Sequence, residues 1–371
     1  MPILYFLLLF ILTSYDLCEL SYNYINSVYP LFLFNQNKTF SKLIGTKNKT
    51  FSSCSKQACP PSPSPSPYPS RLGRLGRLDG ELNLKQTEFY QWFAGFTDGE
   101  GNFDIHVRKD SNIITIQFRI TLHIDDVAVL YFIRDRLGAG TVKISNTRNE
   151  AVFKVTGVKN LQEFIINPLS IFKLNGNKYL DYLVFKEVLD IMSTKAHLTK
   201  AGLAKISKLL ETHNTKRIDF NYPKDHSITI TPYYLLGLIE AEGSFSYGTN
   251  NQLTFVLVLT ESQQHLIKAI KLFIDNLSVD TQNPLPIKIE RALIVYRKAY
   301  GKGNDKPSFA VQVSDFYFLI KFLIPFLNNL TWVSKKQKDF YDWVFISQLM
   351  SRGCLHTPNI GRFVLYISYK E

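Results

Sequence analysis

Two short stretches of the chain echo each other, FAGFTDGEGNF from Phe93 to Phe103 and LLGLIEAEGSF from Leu235 to Phe245. Each reads as a helix with small residues four apart, Gly95 and Gly99 in the first and Gly237 and Ala241 in the second. Each helix then runs into an acid followed by a glycine. Small residues on one face let two helix backbones approach closely. Two such helices packed together would carry Glu100 and Glu242, one step past the contact, to the same end of their interface. Like charges held together are costly unless a cation offsets them, and a hard divalent ion with oxygen ligands does so. On a basic protein this pairing points to Mg2+-assisted phosphodiester hydrolysis. A single stretch would read equally well as a helix C-terminus with a glycine cap; the duplication carries the argument.

The elements around each copy repeat as well. After the first helix, Phe89 to Asp98, come two strands, NFDIHVR and ITIQFRITLH. Their alternation puts Phe103, Ile105 and Val107, then Ile114, Ile116, Phe118 and Ile120, on one face. Asp125 is expected to cap the helix DVAVLYFIRDRLG, which Gly138 ends. GTVKIS and AVFKVTG form a hairpin, a helix covers roughly 159–172, and another starts near Lys178. The second half replays this order: a helix from Pro232, a strand at AEGSF, the strand QLTFVLVLT and a helix from Gln263 to Leu277. Two strands near 289–299 and 308–313 follow, then helices at 315–328 and 334–350. Two copies of one supersecondary unit predict an α+β chain with pseudo-twofold symmetry within a monomer.

The chain has 371 residues with a formal charge of +12, a balance suited to a polyanionic partner. Only four cysteines occur, Cys18, Cys54, Cys59 and Cys354, with no CxxC pair, so neither a disulfide framework nor a thiolate metal site is expected. The seven histidines lack zinc-ligand spacing. Residues 1–83 stand apart. Ile3 to Tyr15 is apolar but shorter than the ~20 residues a membrane-spanning helix needs, so no stable membrane insertion is expected. CPPSPSPSPYPSRLGRLGRLDG at 59–80 has a composition that cannot bury a core and reads as a linker. The expected division is therefore 1–83 leader and linker, 84–220 first domain and connection, and 221–371 second domain.

FAGFTDGEG and LLGLIEAEG resemble the two LAGLIDADG motifs of the homing endonucleases, and the similarity extends from about 88 to 350. The resemblance implies two αββαββα domains joined through their motif helices, with antiparallel sheets forming a saddle over the DNA major groove. It implies that Glu100 and Glu242, the last acid of each motif, bind metal and cut one strand each. The carbonyls of Gly99 and Ala241 would assist. It also implies a basic residue at the start of each domain's last helix; laying Asp181-Tyr182 on Asp339-Phe340 gives Lys178 and Lys336. A lysine there stabilises charge on the phosphate or holds the water network. Thr97 replaces an aliphatic residue, and Glu stands for Asp at both catalytic positions. The stretch 193–214 looks like the family's interdomain connection.

On that reading the sheet faces opposite the core read the DNA. The first domain offers Asn102, Asp104, His106, Arg108, Thr115, Gln117, Arg119, Thr121, Lys143 and Lys154, a set able to donate and accept at base edges. The second offers Ser244, Ser246, Tyr296, Lys298 and Gln312, while Val256 and Val258 stand where Arg119 and Thr121 do. There, apolar contact with thymine methyls and a face not used for reading are both open. Heavy use of Phe (28) and Tyr (20), with Ile, Lys and Asn, fits an A/T-rich organellar genome. With the resemblance, this suggests a reading frame in a group I intron of the mitochondrion rather than the chloroplast, acting in the matrix, its apolar start read from an upstream exon. The competing reading is a maturase that holds its own group I intron RNA through phosphate and shape contacts.

Overall fold

The computed structural model describes residues 84–108, 113–248, 250–279, 291–298 and 306–353. The leader and linker expected at 1–83, and Cys354, lie outside the described residues. Helix α1, Gln86–Glu100, starts where the Glu88 side chain accepts from Lys85 N at 2.9 Å. It runs through the acid rather than stopping at Asp98, because Gly101 N–H bonds back to the Thr97 carbonyl. Strands β1, Gly101–Val107, and β2, Ile114–His123, follow. Next come α2, Val127–Leu137, and strands β3, Thr141–Ser145, and β4, Glu150–Thr156. Gly138 ends α2 at φ 72°, as expected. Asp125 does not cap it. Ile124–Asp126 forms a 3-10 turn, Asp126 takes the N-cap place without a side-chain bond, and Asp125 pairs with His123 at 3.2 Å.

The helical run α3 at 158–171 contains a π stretch, Gln162–Ile166, followed by Pro168. Helix α4, Lys178–Ser193, closes the first half, and α5, Lys200–Leu209, lies in the connection. Arg217 ties that connection to α4 through a 2.9 Å ion pair with Asp181.

Helix α6, Pro232–Glu242, opens the second half; Thr231 caps it by accepting from Tyr234 N at 3.2 Å, with Pro232 at the first turn. Then come β5, Gly243–Tyr247, β6, Leu253–Thr260, and α7, Gln264–Asn276. Strands β7, Ala292–Arg297, and β8, Ser308–Val313, precede α8 at 316–328 and α9, Lys336–Ser351. Helix α8 repeats the π stretch at Leu319–Leu323, again followed by a proline, Pro325. The repetition thus extends to a helix distortion.

Each half holds one four-stranded antiparallel sheet, ordered β1-β2-β4-β3 and β5-β6-β8-β7. Period-two burial decides which face meets the helices: Ile116, Phe118 and Ile120 are buried while Gln117, Arg119 and Thr121 face the other way. Helix α6 has seven consecutive buried residues, Tyr234 to Glu240, so it is enclosed on all sides. It packs on its own sheet and on α1 at once. Among the described residues no helix is long and apolar enough to cross a membrane.

Candidate active site

The two motif helices cross with their backbones in contact. A Cβ placed on Gly95 would lie 2.0 Å from the Tyr234 carbonyl oxygen, and one on Gly237 would lie 2.1 Å from that of Trp92. At the next turn, a Cβ on Gly99 would sit 2.2 Å from Ala241 Cβ and 3.3 Å from Glu242 Cγ. The four small residues expected at an interface lie where the helices touch, and they set Glu100 and Glu242 side by side. Burial pushes the Glu100 carboxyl above its ordinary range, and the charge of Glu242 pushes it further, with Lys178 and Lys336 pulling it back. Burial likewise raises Glu242, and both lysines lower it.

Both lysines reach the motif turns. Lys178 Nζ donates to the Gly99 carbonyl, and Lys336 Nζ donates to the Gly243 carbonyl at 2.8 Å. Burial lowers the Lys178 ammonium, opposed by Asp98, Glu100 and Glu242. The halves differ here: one lysine grips the carbonyl before its acid, the other the carbonyl after it. Of the two carbonyls expected to assist, Gly99 is held by Lys178.

What places the lysines was missed in the sequence. The first acid of each motif, Asp98 or Glu240, is almost fully buried. Asp98 Oδ2 accepts from Asn175 N at 2.7 Å and Gly176 N at 3.0 Å, in the loop that leads into Lys178. It also accepts from the Tyr234 hydroxyl of the opposite motif helix at 2.6 Å. Glu240 does the same in mirror image. Its Oε1 accepts from Val333 N at 2.8 Å and Ser334 N at 2.7 Å, just before Lys336, and its Oε2 accepts from Trp92 Nε1 of α1. Trp92 and Tyr234 each lie three residues before the crossing glycine, so each half braces the other. Burial raises both carboxyls, and these hydrogen bonds hold them down in part. The signal was present: an acid two residues before each catalytic candidate, in a segment otherwise apolar enough to be interior.

The strand register sorts the reading candidates. Asn102, Arg119, Lys154 and Thr141 form one row across the first sheet, on the face away from the core. Asp104, His106, Thr115, Gln117, Thr121 and Lys143 share that face, and Arg108 follows the end of β1. Asp104 pairs with Arg119 at 3.0 Å and accepts from Gln117 Nε2 at 3.0 Å. In the second sheet Ser244, Ser246 and Gln312 lie on the equivalent face. Tyr296 does not: it pairs with Phe309 on the core side, their rings 5.1 Å apart. The strand was placed correctly, but its parity could not be read because Ala292 to Tyr296 is apolar at every position. Lys298 falls just beyond β7. Among the described residues no cluster of three or more His, Cys, Asp or Glu gathers as a metal site.

Comparison with known proteins bears on the fold and on the two motifs. A curated relative, "Probable intron-encoded endonuclease 3" of Neurospora crassa, is 26% identical over 75% of this chain and 54% of its own length. "Uncharacterized mitochondrial protein RF1" of Saccharomyces cerevisiae is 26% identical over 76% of this chain and 59% of its own length. The chain thus spans little more than half of these relatives. Among solved structures, LAGLIDADG homing endonuclease I-GzeII in complex with its DNA target superposes with a TM-score of 0.63 at 23% identity, covering 76% of this chain and 97% of that one. LAGLIDADG meganuclease I-CpaMI bound to uncleaved DNA gives 0.62 at 22% identity, covering 76% and 98%. These likenesses show a shared fold. The sequence model described as LAGLIDADG endonuclease matches residues 93–189 and 235–347, both halves and both motifs, and the chain belongs to that family.

Proposed function

We propose that the chain is a homing endonuclease that makes a double-strand break at a long DNA site, working as a monomer. The convergence of Glu100 and Glu242 at the helix crossing, each flanked by a lysine from its own half, carries this reading. The donor set fits a hard divalent cation. Two crowded carboxylates with raised pKa gain by neutralisation, and Mg2+ is commonly held by one or two carboxylates together with waters and substrate phosphates. Glu100 and Glu242 would hold it, with a backbone carbonyl nearby, Ala241 or Gly99 once Lys178 turns away. When bound, the ion supplies water activation and stabilisation of the leaving oxygen. Lys178 and Lys336 stand where an ammonium can offset charge on the phosphate. A neighbour of the same fold, I-SmaMI, has been solved on uncleaved DNA in the presence of calcium ions, which supports a divalent ion at this kind of site.

The two halves, taken as 84–220 and 221–371, would each read one half-site through the sheet face opposite the core. Relatives include proteins named for cox1 and ND4 introns and for the mitochondrion, which supports a mitochondrial setting; action in the matrix on the intronless allele is part of the proposal. No feature of the site favours the maturase reading over cleavage. The test is to incubate the full chain with a plasmid carrying the intronless exon junction, with Mg2+ and with EDTA. Linear product in Mg2+ alone is the expected result. An intact plasmid in both would refute the reading.

A further inference from the structure

The two reading faces are chemically unlike. Register-equivalent rows make the comparison direct: Asn102–Arg119–Lys154–Thr141 in the first sheet stands where Ser244–Val256–Gln312–Leu293 stands in the second. The neighbouring rows are Thr121–Val152–Lys143 and Val258–Ala310–Val295. The second face thus presents Val258, Val295 and Leu293 as one apolar patch, with Leu293 56% exposed, over the buried Val256 and Ala310. Strand parity sets this patch apart from the core. Val256 and Ala310 are buried yet stand outside the continuous hydrophobic core, which Phe255 and Leu257 of β6 join from the opposite face.

The only apolar group a base pair offers in the major groove is the thymine C5-methyl. A guanine or cytosine edge laid against this patch would lose hydration without gaining a partner. We infer that under the second sheet the positions facing Val258, Val295 and Leu293 are read through thymine methyls, with Arg297, Ser308 and Gln312 on the same face left for polar contacts, whereas the half-site under the first is read through hydrogen bonds. This rests on the proposed reading that both faces lie on DNA.

The test selects duplexes from a randomised pool with the full chain, then remakes the selected site with deoxyuridine for thymidine in one half or the other. Lys154→Ala, which should relax preference in one half only, marks the half under the first sheet. Each methyl lost under the second sheet should weaken binding about fourfold, the value of one buried CH2. The same replacement under the first sheet should have little effect. Val258→Thr, nearly isosteric at a half-buried position, should lower the thymine preference while leaving the melting temperature close to that of the unmodified chain. Equal losses in both halves, or none under the second, would overturn the inference alone. Failure to select any duplex would overturn the DNA-binding reading and the inference with it.

Discussion

Replacing Gly95 with alanine adds one methyl where the structure has no room for it. Its carbon would lie 2.0 Å from the Tyr234 carbonyl oxygen and 3.0 Å from Leu238 N. Non-bonded heavy atoms settle at roughly 3.5 Å, so the helices must part by about 1.5 Å. The obstacle is backbone on both sides, so no side chain can swing away. Overpacking of this kind costs ~1–3 kcal/mol, and alanine's better helix propensity returns ~1 kcal/mol. The net loss is then roughly 0–2 kcal/mol, at the upper end because the obstacle is backbone, and it lowers the melting temperature by no more than about 4–8 °C, less in a chain longer than ~250 residues. The same displacement separates Glu100 from Glu242, and a misplacement of ~1 Å can cost ~100-fold in rate. Gly237→Ala should behave alike, since its added carbon would meet the Trp92 carbonyl at 2.1 Å. Thermal melts, cleavage rates and DNA affinity measured together check this, with cleavage falling far more than affinity. Alanine variants that melt and cut like the unmodified chain would refute the close crossing.

Trp92→Phe and Tyr234→Phe each remove a donor from a buried carboxylate of the opposite half; each should cost ~1–3 kcal/mol in a denaturant melt. Because the folded pKa of Asp98, Glu100, Glu240 and Glu242 lies above the ordinary values of 3.8 and 4.5, the folded state keeps protons that the unfolded state has lost. These four groups therefore make stability fall as pH rises from those values through the raised folded ones. Cleavage should run the other way, dropping as pH falls through the raised range, because metal binding needs the carboxylates ionised. Lys178→Met removes a charge that lowers Glu100 and Glu242; the acidic limb of the rate profile should move to higher pH, and an unmoved limb would place the lysine outside the site.

Much of this was legible in the sequence because two signals were duplicated. Gly95 and Gly237 with their acids gave the crossing, and alternation in ITIQFRITLH gave the first reading face. The apolar setting of Asp98 and Glu240 hinted that they are interior, but the sequence could not show their partners, the loop amides of Asn175 and Val333, which become visible only once the loops are placed. Nor could it fix the face of Tyr296, because Ala292 to Tyr296 is apolar at every position and so carries no alternation. The cap at Asp125 failed for a local reason: Ile124–Asp126 forms a 3-10 turn, and the helix begins only after it.

If Glu100 and Glu242 serve two adjacent centres, one for each DNA strand, their single variants must differ in which strand they spare. Strand-specific mapping of the products of Glu100→Gln and Glu242→Gln on an end-labelled cognate duplex in Mg2+ tests this most directly. Each substitution removes a charge at nearly constant volume, so binding should persist. The expected result is that neither variant makes a double-strand break and that the residual nicks fall on opposite strands. A double-strand break at the unmodified rate by either variant would contradict it.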